Sequence, residues 1–319
     1  MASRSPNTAL APALARLRRG LDLRANSLLI TLFGDAFAPR GQSIWLGSLI
    51  ELLGLFGISP RLVRTSAFRL SADQWFSANR VGRRSYYGLS DAGLLRVQHA
   101  DQRIYDFNLA QWDGRWTLVL LDPGMRASER QHLQRELSWE SFGRIAPHVF
   151  AHPHVRAQAL SEIIEAAGVA HQVAVLRAQS LPGTEGQALQ AIMHSVFDLD
   201  KVALAWTQFI ARFTPLLDEV ARLDPPQAFM VRTLLIHAYR RVVLRDPNLP
   251  KAFLPNDWPG VRARLLCEQL YGALLKPSEQ YLTMQVSTRD GPLLPMPPEM
   301  RRRGATGRPA GRATPPRAP

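Results

Sequence analysis

The side chains best equipped for chemistry in this chain are arginines. The spacing that says most lies between Ile58 and Leu89, in ISPRLVRTSAFRLSADQWFSANRVGRRSYYGL. At 3.6 residues per turn, Arg61, Arg64, Thr65, Phe68 and Arg69 gather on one side of a helix, and Leu62, Val63, Ser66, Ala67 and Leu70 on the other. The first side offers three guanidiniums, a hydroxyl and one ring. Arginine bonds guanine bidentately in the major groove and apolar groups meet the thymine methyl, so the chemistry expected is base reading on double-stranded DNA. Ser59 is placed to cap the helix, and Pro60 takes its first position, where a missing N–H costs nothing. Trp75–Asn79 and Ser85–Leu89 then read as two short strands around a basic tip, Arg80–Arg84, which contains Gly82. The tip's arginines, Arg80, Arg83 and Arg84, would meet backbone phosphates or a minor groove. Helix, hairpin and charge together read as a winged helix-turn-helix. The competing reading is an Arg-rich solvated helix beside an ordinary hairpin.

A second group, Arg232, Arg240, Arg241 and Arg245, lies on the helix expected over Pro226–Leu244 and at its end. Arg241 and Arg245 are one turn apart and Arg240 is their neighbour. With Tyr239 and Trp258 close in sequence, Arg240, Arg241, Arg245 and Trp258 are candidates to hold the phosphates and adenine of an anionic effector. A solvated helix face or an intersubunit salt-bridge patch would use the same residues. His148, His152 and His154 share a face if extended, a spacing open to a metal, but no thiolate or clear carboxylate partner is near. Asp122 closes an apolar strand. Ferredoxin-like CRISPR-associated nucleases place an aspartate similarly, so a metal-dependent nuclease is the alternative function; the simpler reading of Asp122-Pro123-Gly124 is a turn. There is no GxGxxG after a strand, no Walker loop, no GxSxG and no CxxC. The chain therefore reads as a non-enzyme with no cofactor and no metal.

The charge is unevenly spread. Of the net +13, residues 1–100 carry 13 arginines against 5 acidic residues, residues 101–300 are close to neutral, and the last 19 residues add six arginines and no acid. A basic front end on a neutral body is the footprint of electrostatic DNA binding. Cys267 is the one cysteine, which excludes an intrachain disulfide. No apolar run approaches the ~18–20 residues of a spanning helix, and the N-terminus lacks a secretion signature. The expected location is the cytoplasm, with no membrane partner.

The elements that must position these residues are legible in outline. Ala25–Phe37 reads as an apolar helix broken by Pro39 and Gly41. Ile44–Phe56 follows, with Ser43 as cap and Gly57 as stop. Arg103–Phe107 and Trp116–Leu121 have strand character. Met125–Trp139 reads as helix, Ile145–Ala151 as strand, Val155–Ala167 as helix and Gln172–Arg177 as strand, a β-α-β-α-β order that fits a small ferredoxin-like unit. Beyond come Leu199–Leu223, interrupted at Pro215, then Pro226–Leu244, and Val261–Leu275, stopped by Lys276-Pro277. The fold class expected is α+β: a flexible arm (1–20), an N-terminal winged helix-turn-helix (21–98), a ferredoxin-like middle domain (99–185), a helical C-terminal effector and dimerisation domain (186–287), and a basic disordered tail (288–319).

Several of these phrases occur together in one family. SLLITLFGDAFAPRG, IWLGSLIELLGLFGISPRLVRTSAFRL, VGRRSYYGLS, WDGRWTLVLLD and RDPNLPKAFLPNDWPGVRARLLCEQLY, in that order, resemble the phenylacetate-catabolism repressor (PaaX) family of bacterial regulators over about Leu23 to Tyr281. The resemblance implies a homodimeric repressor bound to a double-stranded DNA operator. It also implies release by an aryl-acetyl coenzyme A thioester, typically phenylacetyl-CoA. By position, Arg61, Arg64, Thr65, Phe68 and Arg69 fall on that family's recognition helix, and Arg83 and Arg84 on its wing. The Arg/Pro-rich tail from about Arg289 departs from the family pattern.

Overall fold

The computed structural model describes residues 17–18, 20–105, 112–153, 155, 157–180 and 187–298. In chain order, α1 (Ala25–Leu32) runs into a π-helical turn (Phe33–Phe37) and a 3-10 turn (Ala38–Arg40). There follow β1 (Ile44–Trp45), α2 (Leu46–Gly54), α3 (Pro60–Ala72), β2 (Phe76–Val81), β3 (Arg84–Leu89) and α4 (Asp91–Tyr105). The middle holds β4 (Arg115–Leu121), α5 (Ala127–Trp139), β5 (Gly143–Ala146), β6 (Val149–His152), α6 (Ala157–Ala166) and β7 (Val173–Gln179). Last come α7 (Gln187–Val196), α8 (Leu199–Phe213), α9 (Pro225–Val243), α10 (Pro259–Gln285), β8 (Ser287–Thr288) and β9 (Gly291–Pro292). The fold mixes helices with two antiparallel sheets, as the α+β expectation required.

The chain divides into two compact units, each built from separated stretches. The first takes residues up to Gln98, Phe213–His237 and Leu265 onward; the second takes His99–Arg212 and Ala238–Arg264. The C-terminal helices, expected to form a domain of their own, are shared between them.

In the first unit, Leu28, Leu29, Leu32, Leu49, Leu52 and Leu53 bury themselves with Val63, Ala67 and Leu70 of α3. The sheet runs β2-β3-β1-β8-β9, so β8 and β9 extend the β2–β3 hairpin's sheet through β1. Ile44 stands opposite both Tyr87 of β3 and Thr288 of β8, and the Arg289 N–H donates to the Ser43 carbonyl at 2.9 Å. This corrects two expectations. Ser43 does not cap a helix beginning at Ile44, because Ile44 finds strand partners on both sides and Trp45 pairs with Tyr86 of β3. Residues 288–298, expected in a disordered tail, are held there by Gln42, whose side chain meets Thr288, Pro292 and Leu294.

A buried ionic network lies behind α1. Arg232, 1% exposed, bridges Asp35 on the π turn at 2.8 Å and Glu279 on α10 at 2.7 Å, and also donates to the Ser278 hydroxyl. The Tyr271 hydroxyl donates to Asp35, and Arg40 pairs with the far oxygen of Glu279. Burial alone would lower the Arg232 pKa, but Asp35, Tyr271 and Glu279 hold it well above its ordinary value. This network explains why α10 runs straight through Pro277, where the sequence predicts a stop. The proline removes one backbone N–H. The next two residues, however, are fixed from outside: the Ser278 hydroxyl accepts from Arg232, and the Glu279 carboxylate accepts from Arg40 and Arg232.

In the second unit the chain order β4-α5-β5-β6-α6-β7 builds a four-stranded antiparallel sheet ordered β5-β6-β4-β7. Two interlocked β-α-β crossovers with a central antiparallel pair give the ferredoxin-like arrangement. Where the sequence reads one strand, Ile145–Ala151, the structure has two. Pro147 falls in the turn between β5 and β6, and the His148 carbonyl accepts from the Leu121 N–H. Arg103, read from sequence as strand, belongs to α4. The core comprises Val119 and Leu121 of β4, Leu133 and Leu137 of α5, Phe150 of β6 and Leu160 of α6.

Candidate nucleic-acid interface

The structure brings the first arginine group together on one surface of the first unit. The Ser59 hydroxyl caps α3, accepting from the Leu62 N–H at 3.3 Å, and so fixes where the helix starts. Val63, Ser66, Ala67 and Leu70 are buried beneath, which turns Arg61, Arg64, Thr65, Phe68 and Arg69 outward. Leu62, expected inside, is 46% exposed because it stands about a quarter-turn round the helix from the buried stripe of Val63, Ser66, Ala67 and Leu70. Phe68 is 71% exposed, a large apolar area for a protein to leave in water without a use for it. The Thr65 hydroxyl donates to the Arg61 carbonyl, leaving its oxygen free to accept.

The hairpin closes in two residues, with Val81 opposite Arg84. Gly82 sits at φ 59° in the first turn position, the left-handed conformation that primed hairpin turns require. Arg80, Arg83 and Arg84 are all exposed. Arg80 donates to the Gly82 carbonyl at 3.1 Å, and the Arg84 guanidinium lies 4.9 Å from the Trp45 ring centroid. Their stems are thereby held while their remaining donors face solvent. Neither α3 nor the two hairpin strands contain a carboxylate, so six arginines act with no internal counter-charge.

The second arginine group is separated. Arg232 belongs to the buried network of the first unit. Arg240, Arg241 and Arg245 line a cavity of about 970 Å³ lying wholly within the second unit, together with Arg135 and Trp139 of α5, Arg144 of β5 and Phe197 after α7. Burial first, and then the like charge of Arg241, push the Arg240 pKa down to about 10, so it stays protonated at neutral pH. Trp258 is not among the lining residues; it is buried beside Gly260, where a Cβ would also meet Trp206.

Three comparisons bear on this arrangement. Family models match residues 24–93 as "PaaX-like protein", 109–190 as "PaaX protein central Cas2-like domain" and 197–284 as "PaaX-like protein C-terminal domain". The chain is 38% identical over 271 residues to the transcriptional repressor PaaX of Escherichia coli (strain K12), covering 84% of this chain and 85% of that one. The chain belongs to the PaaX family. A solved structure, the uncharacterized protein Rv0674 from Mycobacterium tuberculosis, has a similar fold at a TM-score of 0.51 and 23% identity, covering 80% of this chain and 97% of that one.

The PaaX-like segment spans α1 through the hairpin, and the Cas2-like segment spans the four-stranded sheet. Within the latter, Asp122 is occupied by a turn: its carboxylate accepts from the Gly124 N–H at 2.7 Å. Among the described residues no three histidine, cysteine or acidic side chains gather as a metal would need. His152 is buried against the Phe142 ring, at 5.1 Å between centroids, and His154 lies outside the described residues. The nuclease alternative has no support. Likewise, no helix among the described residues is long and apolar enough to cross a membrane.

Sequence reasoning missed Arg135, Arg144, Trp139 and Arg103. The first three are distant in the chain from Arg240 and share no motif with it; only the sheet topology brings them near. Arg103 was hidden by a wrong assignment of its segment.

Proposed function

We propose that this chain is a DNA-binding transcriptional repressor, a non-enzyme acting in the cytoplasm on genes of phenylacetate catabolism. The observation that carries the reading is the exposed, carboxylate-free arginine and Phe68 face of α3 beside the basic hairpin, in a chain of the PaaX family. α3 is the recognition helix of a winged helix-turn-helix. Arg61, Arg64, Thr65, Phe68 and Arg69 address base edges, while Arg80, Arg83 and Arg84 address phosphates or the adjoining minor groove. A homodimer sets two such helices about 34–36 Å apart on an inverted repeat. An aryl-acetyl-CoA thioester such as phenylacetyl-CoA relieves repression by favouring a geometry that misses this spacing; only its differential affinity for the two geometries drives the shift.

A mobility-shift titration on the protein's own upstream region tests this, repeated with phenylacetyl-CoA and with free phenylacetate. Binding preferred over random DNA and released by the thioester alone is the expected result. No preference at moderate salt would sink the repressor reading. Preference that survives both ligands would remove the effector and leave the repressor.

A further inference from the structure

Trp45 ends β1 and directly precedes α2, and local preference explains neither it nor its neighbour Gly47. It is the N-cap residue of α2, yet no side chain caps that helix. Serine, threonine, asparagine or aspartate is the stabilising choice at such a position, and an indole gives that contribution up. Gly47 falls in the first turn of α2, where glycine surrenders more chain entropy than alanine would. Each residue breaks a local rule, and the contact between them accounts for both. A Cβ on Gly47 would come within 2.5 Å of the six-membered ring of Trp45, so the indole lies against the helix where only glycine leaves room.

The sheet brings a wing arginine to the same ring. Trp45 stands opposite Tyr86 of β3, and cross-strand partners share a face, as do residues two apart along one strand. Arg84 therefore sits diagonally from Trp45 on that face, with its guanidinium carbon 4.9 Å from the ring centroid. Arg80 lies opposite Ser85, one position out of phase, and so belongs to the hairpin's other face; its hold is the Gly82 carbonyl. Arg80 is thus tied to its own turn, whereas Arg84 is tied through Trp45 to α2. Arg84 remains exposed. A guanidinium stacked on a ring keeps its N–H donors in its own plane, open to an acceptor at its edge.

We infer that Trp45 is a positioning residue for DNA binding: seated on Gly47, it holds the Arg84 guanidinium in register with α2, so that Arg84 meets one particular phosphate of the duplex that α3 enters. This rests on the repressor reading, because it takes α3 and the hairpin to address the same DNA. A long side chain that is already held loses less rotamer freedom on binding. A held guanidinium fork also fits one phosphate better than its neighbours, which a wandering charge does not. Trp45 acts through Arg84, and its effect on DNA disappears when Arg84 is removed.

A double-mutant cycle on the full chain tests this, read by fluorescence anisotropy on a labelled duplex from the protein's own upstream region at fixed salt. Arg84→Ala should weaken binding about tenfold, the worth of one charge-assisted contact. Trp45→Leu should weaken it about two- to fivefold, the worth of an exposed cation–π contact, and Trp45→Phe should recover part of that. The two changes together should weaken binding no more than Arg84→Ala alone. Gly47→Ala, which unseats the indole, should behave as Trp45→Leu does: a loss with Arg84 present and none without it. Should Trp45→Leu fail to fold by circular dichroism, the cycle with Trp45→Phe or Gly47→Ala decides. A merely structural role would give losses that multiply with that of Arg84→Ala, and this outcome, or full affinity in Trp45→Leu, would overturn the inference. Multiplying losses with binding preferred over random DNA sink this inference alone. No preference over random DNA sinks the repressor reading, and the same cycle on the random duplex still shows whether Trp45 acts through Arg84. No binding to either duplex sinks both.

Discussion

Arg64 and Arg232 are the same residue put to opposite uses within one unit. Arg64 stands in water on the outside of α3 with no carboxylate on its helix. Arg232 is sealed inside, with Asp35 and Glu279 bonded to it. The first costs the fold nothing and is available to a partner. The second has lost its water, and what remains of its charge is used up by its neighbours. A net charge of +13 therefore says that an anion is expected but not where. Location comes from burial and from whether a counter-charge already sits beside the cation.

The comparison can be broken at several points, beginning with the largest effect. Arg232→Ala leaves Asp35 buried without its cation and Glu279 with Arg40 alone, and should cost about 3–5 kcal/mol of stability in urea unfolding. Replacing Asp35, Arg40, Arg232 and Glu279 together by Asn, Met, Met and Gln should recover most of that, as buried ion pairs are often no better than apolar substitutes. A cost for Arg232→Ala below about 1 kcal/mol would mean the network is solvated in solution, and the contrast with Arg64 would vanish.

Arg64→Ala should leave the unfolding midpoint unchanged and weaken operator binding by about 1–3 kcal/mol, with relaxed specificity at one base pair. Equal weakening on random DNA would reassign Arg64 to phosphate. Ser59→Ala removes the cap that orients α3 and should cost about 1 kcal/mol in thermal unfolding. Arg83→Ala is the mildest: DNA affinity should fall alike on every sequence, and the slope of log affinity against log salt should decrease by about 1.

The sequence carried the local half of this arrangement and not the distant half. α3 was legible because cap, proline and face all act within thirteen residues, and the hairpin because Gly82 marks its turn. Short-range signals failed where remote partners decide. Ile44 and Trp45 carry a helix-like apolar pattern, yet strands more than forty and two hundred residues away claim them. Pro277 predicts a stop, yet Arg40 and Arg232 hold the chain helical beyond it. The two arginine groups illustrate the same divide. The α3 face was complete in sequence, whereas the cavity showed three of its five arginines and none of its aromatic wall, because β5, α5 and α9 meet only through the sheet.

The placement of β8 and β9 bears on how the protein is made. Both strands lie in the sheet that begins with β1, and Glu279 completes a network whose other members include Asp35 and Arg40. Chains emerge from the ribosome N-terminus first. The stretch around α3 is therefore synthesised early but waits, with the edge of β1 open, until nearly three hundred residues have been translated. The second unit's four-stranded sheet, contiguous from β4 to β7, has no such delay. Growing chains stalled after β7 should show protease protection in that sheet and little in the hairpin, and a chain that stops before Ser278 should leave α3 on an unfinished support.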